Sequence, residues 1–535
     1  MKQIRNMPIG VQSFDSMRKG SYVYVDKTGF IPNFEKLGRV YFLSRPRRFG
    51  KSLFLSTLKA YCEGRRELFA GLEIERIKEA NGSEWEEFPV LSLDLSTSGY
   101  QEKGELLEKL NLNLKKWKEK FNLEIGEYEN PSNTFIEIIE KIHKTTGKQV
   151  VVLVDEYDAP LLSSLNNQEL NDHYRALLKG FYTVLKSSNE HIRFALLTGV
   201  TKFASVTIFS GLNNLHDISL SDEYSEICGI TEKEMIENFE PEIKELATKQ
   251  GTSYEEMITL LKKEYDGYHF SDNGVGIYNP FSLCNALANK KLSAYWFGTG
   301  TPTFLVEFLE KNNFDIPTLD DGAIACRAEE LKDYRATSKN IIPLLFQSGY
   351  LTIKKYNPKF NVYTLGFPNN EVRYAFLNCL ISEYTKEAEV QDATFSLYNF
   401  SRLMDEGKIE DVLERLQALL ASIPYDFFKR DEKFTLREYN VQMIIYLLFR
   451  LMGQYLVGAE VHSSKGRSDV EVETDDAVYI FEFKTKATAE EALEQIEKQG
   501  YHEKHKAGGK RIFLIGASIQ EDGRNIGEWK IKESL

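Results

Sequence analysis

The chain carries Tyr41-Phe-Leu-Ser-Arg-Pro-Arg-Arg-Phe-Gly-Lys-Ser52, a short apolar strand followed by a tight loop that ends in Gly-Lys-Ser and, from about Leu53, a helix. In such a loop, backbone N–H groups and the positive end of the helix dipole converge on anionic oxygens. Lys51 adds a mobile positive charge, and Ser52 offers a hydroxyl to Mg²⁺. The pattern G-x-x-x-x-G-K-[ST] has glycine where this chain has Arg45, so a phosphate-binding loop needs support from a second motif.

That second motif is a hydrophobic run that ends in acidic residues, Val150-Val-Val-Leu-Val-Asp155-Glu156-Tyr157-Asp158. Side chains leave the sheet at a strand end, so a carboxylate there can reach a ligand. We expect Asp155 to hold the Mg²⁺ shell at the tip of the strand next to the loop strand, and Glu156 to polarise the water that attacks a γ-phosphate. The two motifs together predict a site for ATP and Mg²⁺.

Further residues around the loop complete the predicted nucleotide site. Thr198 ends another apolar run. It is expected either to sense the γ-phosphate or hold the attacking water, or to cap the next element. Arg47 and Arg48 are expected to contact phosphate or a neighbouring subunit, and Arg45 to add positive charge near the phosphates. Glu156 is the predicted catalytic residue, and Mg²⁺ is assigned to Ser52 and Asp155. The predicted ATP-binding residues are Arg47, Arg48, Phe49, Gly50, Lys51, Ser52, Asp155 and Thr198.

The first part of the chain alternates apolar runs with charged stretches of helical spacing, such as Gly104–Lys120. The runs lie at Val40–Leu43, Val90–Leu95, Val150–Val154 and Phe194–Leu197. Strands separated by helices favour a parallel α/β sheet that binds ligands at the carboxyl ends of its strands. Residues 1–230 are therefore predicted to form a P-loop NTPase domain.

The middle region, residues 231–390, is predicted to be mostly helical, beginning with Thr231 as an N-cap. A helix at Ile341–Gly349 is followed by two strand patterns, Tyr350–Tyr356 and Asn361–Leu365, around a turn. A helix followed by a two-stranded wing suggests a winged-helix-like module. Such modules contact DNA or form lids on ATPases, and we favour the lid or packing role. Residues 391–425 are predicted to be a helical connector.

A second, smaller α/β domain is predicted for residues 426–535. Asp469 begins one strand pattern, and Glu482 and Lys484 follow on the next, on one face because strand side chains alternate. Asp469 and Glu482 can hold a hard divalent cation, with Glu438 of the preceding helix completing the site. Lys484 can orient or deprotonate the water that attacks a scissile phosphate. The motif indicates metal-dependent phosphodiester cleavage with Mg²⁺ or Mn²⁺.

Several long motifs are available for comparison with known families: Ser44-Arg-Pro-Arg-Arg-Phe-Gly-Lys-Ser52, Val154-Asp-Glu-Tyr-Asp158, Leu197-Thr-Gly-Val200, Phe209-Ser-Gly-Leu-Asn-Asn-Leu215 and Tyr295-Trp-Phe-Gly-Thr-Gly-Thr-Pro302. They resemble the bacterial AAA-ATPase-like proteins that carry a C-terminal nuclease-like domain, whose loop also reads R-P-R-R-F-G-K-S. The resemblance covers nearly the whole chain and implies ATP binding and hydrolysis with Mg²⁺.

The C-terminal arrangement resembles the PD-(D/E)XK nuclease superfamily, with Ser468-Asp469 in place of Pro-Asp. That resemblance implies a small restriction-endonuclease-like α/β fold. Gln495 and Tyr501 are similar to a helix motif in several branches of the superfamily, where these residues contact DNA or buttress the site.

Composition narrows the number of domains, the kind of partner and the cellular compartment that we expect. The 535 residues carry a formal charge of −13 and 42% hydrophobic residues, and this length predicts about three domains. Such acidity argues against non-specific coating of DNA, although a local basic channel stays open. We expect no membrane span, because no apolar run reaches about 18 residues. Five separated cysteines without a C-x-x-C pair suit a reducing cytoplasm. His502 and His505 are read as solvated surface.

These observations predict an ATP-binding and ATP-hydrolysing protein coupled to a metal-dependent nuclease-like domain. The partner is nucleic acid, with DNA favoured over RNA, and a role in DNA defence or processing follows by analogy alone. The alternative is a nucleotide-controlled switch or assembly protein whose C-terminal domain binds nucleic acid or a partner without cleaving it. A homo-oligomer is compatible with both readings.

Overall fold

The structure is a computed structural model of the 535-residue chain. It describes residues 5–35, 40–96, 99–126, 128–202, 209, 215–297, 322, 324–332, 340–385, 390–422, 443–451, 460–462, 470–474, 476–485, 487–520 and 525–534. The chain divides into two compact units, the first comprising Met1–Thr299 and Thr318–Val372, the second Gly300–Pro317 and Arg373–Leu535. The four domain ranges expected from the sequence stay predictions.

The strands of the described residues are β1 Val40–Ser44, β2 Val90–Asp94, β3 Val150–Asp155, β4 Ile192–Gly199, β5 Leu215–Asp217, β6 Ile230–Thr231, β7 Ile277–Tyr278, β8 Ile324–Arg327, β9 Thr352–Asn357, β10 Val362–Gly366, β11 Glu460–His462, β12 Val470–Glu473, β13 Ala477–Thr485, β14 Arg511–Ile519 and β15 Ile526–Ser534.

The α-helices of the same residues are α1 Phe14–Lys19, α2 Lys51–Cys62, α3 Glu73–Asn81, α4 Lys103–Lys120, α5 Pro131–Thr146, α6 Ala159–Ser163, α7 Gln168–Ser187, α8 Glu232–Gln250, α9 Tyr254–Tyr265, α10 Pro280–Asn289, α11 Ala328–Lys332, α12 Ile342–Ser348, α13 Asn370–Thr385, α14 Val390–Asp405, α15 Ile409–Ser422 and α16 Ala489–Gln499. Short 3₁₀ helices lie at Thr28–Glu35, Arg66–Phe69, Asn189–His191, Asp222–Tyr224 and Glu503–Gly508.

The first unit is built on a five-stranded sheet in the order β2-β3-β4-β1-β5. Every pairing in it is parallel, and β1 and β3 are buried along almost their whole length. The predicted parallel α/β sheet is thus confirmed. One expectation was wrong: β3, which ends in Asp155, does not lie next to β1, because β4 is inserted between them. This order places the ends of three strands side by side at one edge of the sheet.

The middle of the first unit contains the predicted helices and wing. Thr231 caps α8 through a capping box with Glu234, which satisfies backbone donors at the start of the helix. Farther along, β8, α11, α12, β9 and β10 follow one another, and the strands form an antiparallel sheet in the order β8-β10-β9. A helix followed by a two-stranded hairpin is therefore present as the sequence predicted.

The second unit contains a mixed sheet in the order β11-β12-β13-β14-β15, in which β13 and β14 pair in parallel and the other neighbours are antiparallel. Helix α16 packs on this sheet, where Val478, Ile480, Leu493 and Ile496 belong to one apolar cluster. The helix comes so close that a Cβ atom on Gly516 of β14 would lie 2.4 Å from the Ala489 carbonyl oxygen. This small α/β domain agrees with the prediction for the C-terminal region.

Within the described residues, no helix is long and apolar enough to cross a membrane.

Candidate functional site

The loop between β1 and α2 has the backbone geometry of an anion-binding turn. Gly50 adopts a left-handed conformation with φ of 96° and directly precedes Lys51, the first residue of α2. Arg48 is also left-handed, with φ of 67°. Alternating conformations of this kind turn successive N–H groups toward one point, and the N-terminus of α2 adds its positive dipole end. The loop can therefore receive an anion such as a phosphate.

Lys51 lies inside this loop rather than in solvent. Its side chain is 3% exposed, and its Nζ atom donates to the carbonyl oxygens of Arg45 and Pro46 at 3.0 and 3.2 Å. The same ammonium lies 3.4 Å from Oε1 of Glu156 at the end of β3. The structure thus brings together the loop lysine and the acidic strand end that the sequence placed about a hundred residues apart.

The carboxylate of Asp155 is the centre of the polar cluster at the strand ends. Its Oδ1 atom accepts a hydrogen bond from the Thr198 hydroxyl at 2.7 Å, and the carboxylate also accepts one from the Ser52 side chain. Burial raises the pKa of Asp155, while these two hydrogen bonds oppose that rise. Two hydroxyls and one carboxylate supply hard oxygen atoms, the ligands that Mg²⁺ prefers.

Glu156 stands at the edge of this cluster in a strained backbone conformation. Its φ is 51°, a left-handed value that costs a non-glycine residue roughly 1 kcal/mol or more. Its N–H donates to Oδ1 of Asp155 at 3.1 Å, and its side chain is 20% exposed, in contrast to Lys51. The carboxylate therefore lies beside the lysine and still reaches solvent.

Asp158 is a residue to which the sequence assigned no role. It is fully buried, and its carboxylate accepts the N–H groups of Val200 at 3.0 Å and Thr201 at 2.6 Å. Burial, followed by the charge of Glu156, raises the pKa of Asp158 to about 7. These bonds join the chain after β3 to the chain after β4. The signal for this contact was the last residue of the motif that carries Asp155 and Glu156.

Arg45, the residue in place of the first glycine, has a structural position. Its guanidinium is buried, donates to the carbonyl oxygens of Ser219 and Tyr224 at 2.7 and 2.9 Å, and lies 4.2 Å from the ring centroid of Phe270. Burial lowers the pKa of Arg45 to about 10. The expectation that this residue adds charge beside the phosphates was wrong, because its hydrogen bonds tie the loop to residues 219–224.

The predicted loop residues Arg47, Arg48 and Phe49 are held by the middle region of the same unit. The Trp296 indole N–H donates to the Arg47 carbonyl oxygen at 2.9 Å, and Gly229 N–H donates to the Phe49 carbonyl oxygen at 3.0 Å.

Aromatic rings support the same loop. The Phe49 ring is buried against Tyr268 and Phe270, with centroids 4.8 and 5.4 Å apart. The Arg48 guanidinium lies 4.9 Å from the ring centroid of Phe281. Phe49 can consequently meet a ligand through its backbone alone.

The candidate metal centre of the second unit is partly within the described residues. Glu482 is 2% exposed, and its Oε1 atom accepts from Gln495 Nε2 at 2.5 Å and lies 3.0 Å from Lys484 Nζ. Its Oε2 atom is buried and has no hydrogen-bond partner among the residues that the structure describes. Tyr501 packs against the apolar cluster beneath α16. Asp469 and Glu438 lie outside the described residues.

A neighbouring ion-pair cluster corrects the interpretation of the C-terminal histidines. His505 Nε2 lies 2.9 Å from Oε1 of the buried Glu471, and Lys504 Nζ lies 2.8 Å from Oε2 of the same residue. The side chains of His502 and His505 are only 11% and 14% exposed. The prediction of a solvated surface was wrong for both, because His502 is buried and His505 pairs with Glu471 of β12.

Comparison with known proteins supports two separate families of domains. A family model described as a predicted AAA-ATPase matches residues 8–209, and a model of the PD-(D/E)XK nuclease superfamily matches residues 436–529. The uncharacterised protein in the vnfD 5′ region of Azotobacter chroococcum mcd 1 is 35% identical over 536 residues. That similarity covers 98% of each of the two chains.

Solved structures with lower similarity also match. The ORC2 protein of Aeropyrum pernix in ADPNP–ADP complexes is 10% identical, covering 71% of this chain and 97% of that one, with a TM-score of 0.21. Cdc6p of Pyrobaculum aerophilum is 10% identical, covering 69% and 98%, with a TM-score of 0.22. The ORC1 protein of A. pernix in complex with DNA is 11% identical, covering 67% and 90%, with a TM-score of 0.22. Such TM-scores support no inference.

Proposed function

This chain belongs to the family of predicted AAA-ATPases that carry a C-terminal domain of the PD-(D/E)XK nuclease superfamily, and from that premise we propose that it hydrolyses ATP to control metal-dependent cleavage of nucleic acid. The observation that carries the proposal is the convergence of Lys51, Asp155, Glu156 and Thr198 at one edge of the first sheet. Asp155, Glu156 and Thr198 come from the ends of β3 and β4, and Lys51 begins α2 after the loop that follows β1. Each of the four side chains has a recognised use in phosphoryl transfer.

ATP and Mg²⁺ fit the residues of the first unit. The loop N–H groups and Lys51 are donors for the phosphate oxygens of ATP, and Ser52 and Asp155 would hold Mg²⁺ through oxygen atoms. Bound Mg²⁺ would neutralise charge that develops on those oxygens. The hydrogen bond from Thr198 keeps the Asp155 carboxylate oriented and opposes the rise in its pKa that burial causes.

Hydrolysis would use Glu156 as the residue that polarises water. Its carboxylate lies 3.4 Å from Lys51 Nζ, so an incoming phosphate competes with it for the same ammonium. Once Lys51 binds phosphate, Glu156 is free to accept a proton from the attacking water. Asp158 would act as a positioning residue, because its bonds to Val200 and Thr201 fix the chain just after Thr198.

The nuclease proposal rests on Glu482. A buried carboxylate oxygen without a hydrogen-bond partner in the described residues is costly unless a cation or a proton satisfies it. A divalent cation, Mg²⁺ or Mn²⁺, fits this oxygen, and we propose that Asp469 and Glu438 complete the ligand set. Gln495 would orient the Glu482 carboxylate, and Lys484 would activate water beside the scissile phosphate.

The proposal also covers the substrate of the protein, its cellular compartment and its biological role. We favour DNA over RNA as the substrate and defence or processing of DNA as the context, both by analogy with the superfamily. A reducing cytoplasm is supported by Cys62, Cys228, Cys284 and Cys326, which are buried and form no disulfide within the described residues. A homo-oligomer would give Arg47 or Arg48 a neighbouring nucleotide to contact.

One set of samples tests both ATP hydrolysis and nucleic-acid cleavage. ATP turnover and the cutting of plasmid DNA, linear DNA and RNA are measured with and without ATP and with Mg²⁺ or Mn²⁺. Lys51→Ala should lower ATP turnover by roughly 100-fold or more, the size expected for a lost charge-stabilising donor, while Lys59→Ala on the same helix should not. Retained turnover in Lys51→Ala would remove the nucleotide assignment.

The second half of the set concerns cutting. Lys484→Ala should abolish nicking without changing ATP turnover, whereas Lys498→Ala, an exposed lysine of α16, should leave both activities intact. A wild-type protein that cuts no nucleic acid under any of these conditions would defeat the nuclease half. If it then changes size with nucleotide in light scattering, the switch or assembly function replaces it.

A further inference from the structure

The winged-helix-like module of the first unit has its helix buried. In α12, Ile342 through Gln347 are all buried. Gln347 accepts the Lys202 N–H at 2.8 Å and donates to the Leu331 carbonyl oxygen at 2.8 Å. A Cβ atom on Gly349 would lie 2.7 Å from the ring of Pro46 in the ATP loop. The helix therefore packs beside the nucleotide site, in agreement with the predicted packing role, and cannot enter a nucleic-acid groove.

The hairpin of the same module is exposed. From Leu351 to Gly366 the chain contains three lysines and no acidic residue, in a protein whose formal charge is −13. Lys354, Lys355 and Lys359 are all exposed. Phe360 at the tip is 68% exposed, the highest value for a large hydrophobic side chain in the described residues. The lysines of this hairpin suit a polyanion, and its aromatic tip suits a partner that also offers flat apolar groups.

The tip is held in place by its own hydrogen bonds. Tyr356 donates to Asn361 Oδ1 at 3.0 Å, and Lys359 N–H donates to Asn357 Oδ1 at 3.1 Å. Asn361 is left-handed with φ of 51°, and its carbonyl oxygen accepts the Ala328 N–H at 3.1 Å.

The two strands just below the tip are held as well. Tyr363 donates to Asp272 Oδ1 at 2.6 Å, and its ring lies 4.7 Å from that of Tyr356 between centroids. A backbone fixed at both places presents Phe360 at little entropic cost on binding.

We propose that this hairpin, Thr352–Gly366, binds single-stranded nucleic acid, with Phe360 stacking on a base and Lys355 and Lys359 contacting phosphates. Stacking needs an unpaired base, which is why the proposal commits to a single strand. The Lys359 ammonium lies 5.5 Å from the Phe360 ring centroid, so one phosphate and the neighbouring base could be met together. The inference rests on the proposed function, because it names a contact for the same class of substrate.

The test measures binding by the full-length protein with EDTA present, so that cutting does not interfere. The probe is a fluorescein-labelled oligothymidylate strand of about 30 nucleotides, followed by anisotropy at four salt concentrations. Phe360→Ala should weaken binding by roughly 5- to 150-fold, the range for one lost base stack. The exposed Val275→Ala serves as its control.

A charge-reversal variant tests the lysines. Lys355→Glu with Lys359→Glu should reduce the slope of log affinity against log salt by about 1 to 2, since each phosphate contact on a single strand contributes roughly 0.7. Lys233→Glu, on the exposed face of α8, is the matched control. ATP turnover without nucleic acid should equal that of wild type in all variants, which shows that the unit is folded.

Two outcomes overturn the inference: a wild-type protein that does not bind the strand, or hairpin variants that bind it as the wild type does. Failure of the proposed function would look different. If binding depends on the hairpin but the protein never cuts, this inference stands and the nuclease proposal fails. If the protein cuts but its binding does not depend on the hairpin, the nuclease proposal stands and this inference fails.

Discussion

Replacing Thr198 with valine tests whether the end of β4 takes part in ATP turnover. Valine keeps the shape of threonine and removes the hydroxyl, whose single proton has two acceptors in reach. Oδ1 of Asp155 lies 2.7 Å away and the Val154 carbonyl oxygen 3.4 Å away, so the proton goes to the carboxylate. A hydrogen bond to a charged group contributes about 1.5–3 kcal/mol, which corresponds to a fall in turnover of roughly 10- to 150-fold.

The pH dependence of turnover provides a second readout. The Thr198 hydrogen bond lowers the pKa of Asp155 against the effect of burial. Its loss leaves that pKa higher, so the carboxylate is protonated at a higher pH. The acid limb of the kcat/KM profile of Thr198→Val, which reports the free enzyme, should therefore move toward higher pH, while a purely structural threonine would not shift it.

Thr198→Ser is the matched control, because serine retains the hydroxyl and loses a methyl group. We expect turnover within a fewfold of wild type and an acid limb in its original place. Steady-state ATP hydrolysis between pH 5 and 9, together with a thermal melt of each variant, completes the assay. A valine variant that turns over ATP like the wild type, with an unshifted acid limb, would refute the reasoning.

The remaining predictions concern three other contacts. Burial raises the pKa of Asp158 from 3.8 to about 7, so the folded state holds this proton more tightly than the unfolded state. The wild type should therefore lose unfolding free energy relative to Asp158→Asn as pH rises from about 4 to about 7; parallel urea-unfolding profiles would contradict this. Trp296→Phe removes the indole donor to the Arg47 carbonyl. The KM for ATP should rise about 5-fold, which corresponds to a neutral hydrogen bond of about 1 kcal/mol, with little change in kcat. An unchanged KM would show that this hydrogen bond does not support the loop. Gln495→Leu removes the amide donor to Oε1 of Glu482 and leaves Lys484 as the neighbour of that atom. The Mg²⁺ midpoint for cutting should rise roughly 10-fold, as for other supports of metal ligands; superimposable Mg²⁺ titrations of variant and wild type would exclude a supporting role of Gln495.

Local patterns in the sequence were sufficient to predict several of the strands and helices, although some of the observed bounds differ by about two residues. The buried run before Asp155 became β3, and the alternation around the Asn357 turn became the β9–β10 hairpin. Both depend on near neighbours, namely burial period and turn chemistry. The proximity of the Gly-Lys-Ser loop to the acidic end of β3 was also expected, because strand ends of a parallel sheet meet at one edge; the direct contact of Lys51 with Glu156 was not.

Contacts between segments that are distant in the chain could not be predicted from local sequence patterns. The position of β4 between β1 and β3 is a matter of strand order, which hydrophobic patterns do not encode. Asp158 acquires its role only through Val200 and Thr201, more than forty residues away in the chain. His505 appeared solvent-exposed because its own neighbours are polar, and only the folded chain brings Glu471 to it.

The burial of Arg45 has an evolutionary consequence. Its guanidinium donates to the Ser219 and Tyr224 carbonyl oxygens. A mutation to glycine would remove the Arg45 donor from the Ser219 carbonyl, leave the Tyr224 carbonyl with the Ile227 N–H alone, and open an empty volume beside Phe270. A lineage that acquired this arginine could not easily return to the commoner glycine unless residues 219–224 changed as well. The loop and that segment should therefore vary as a pair among relatives, because a change of Arg45 alone would disrupt the contacts with residues 219–224.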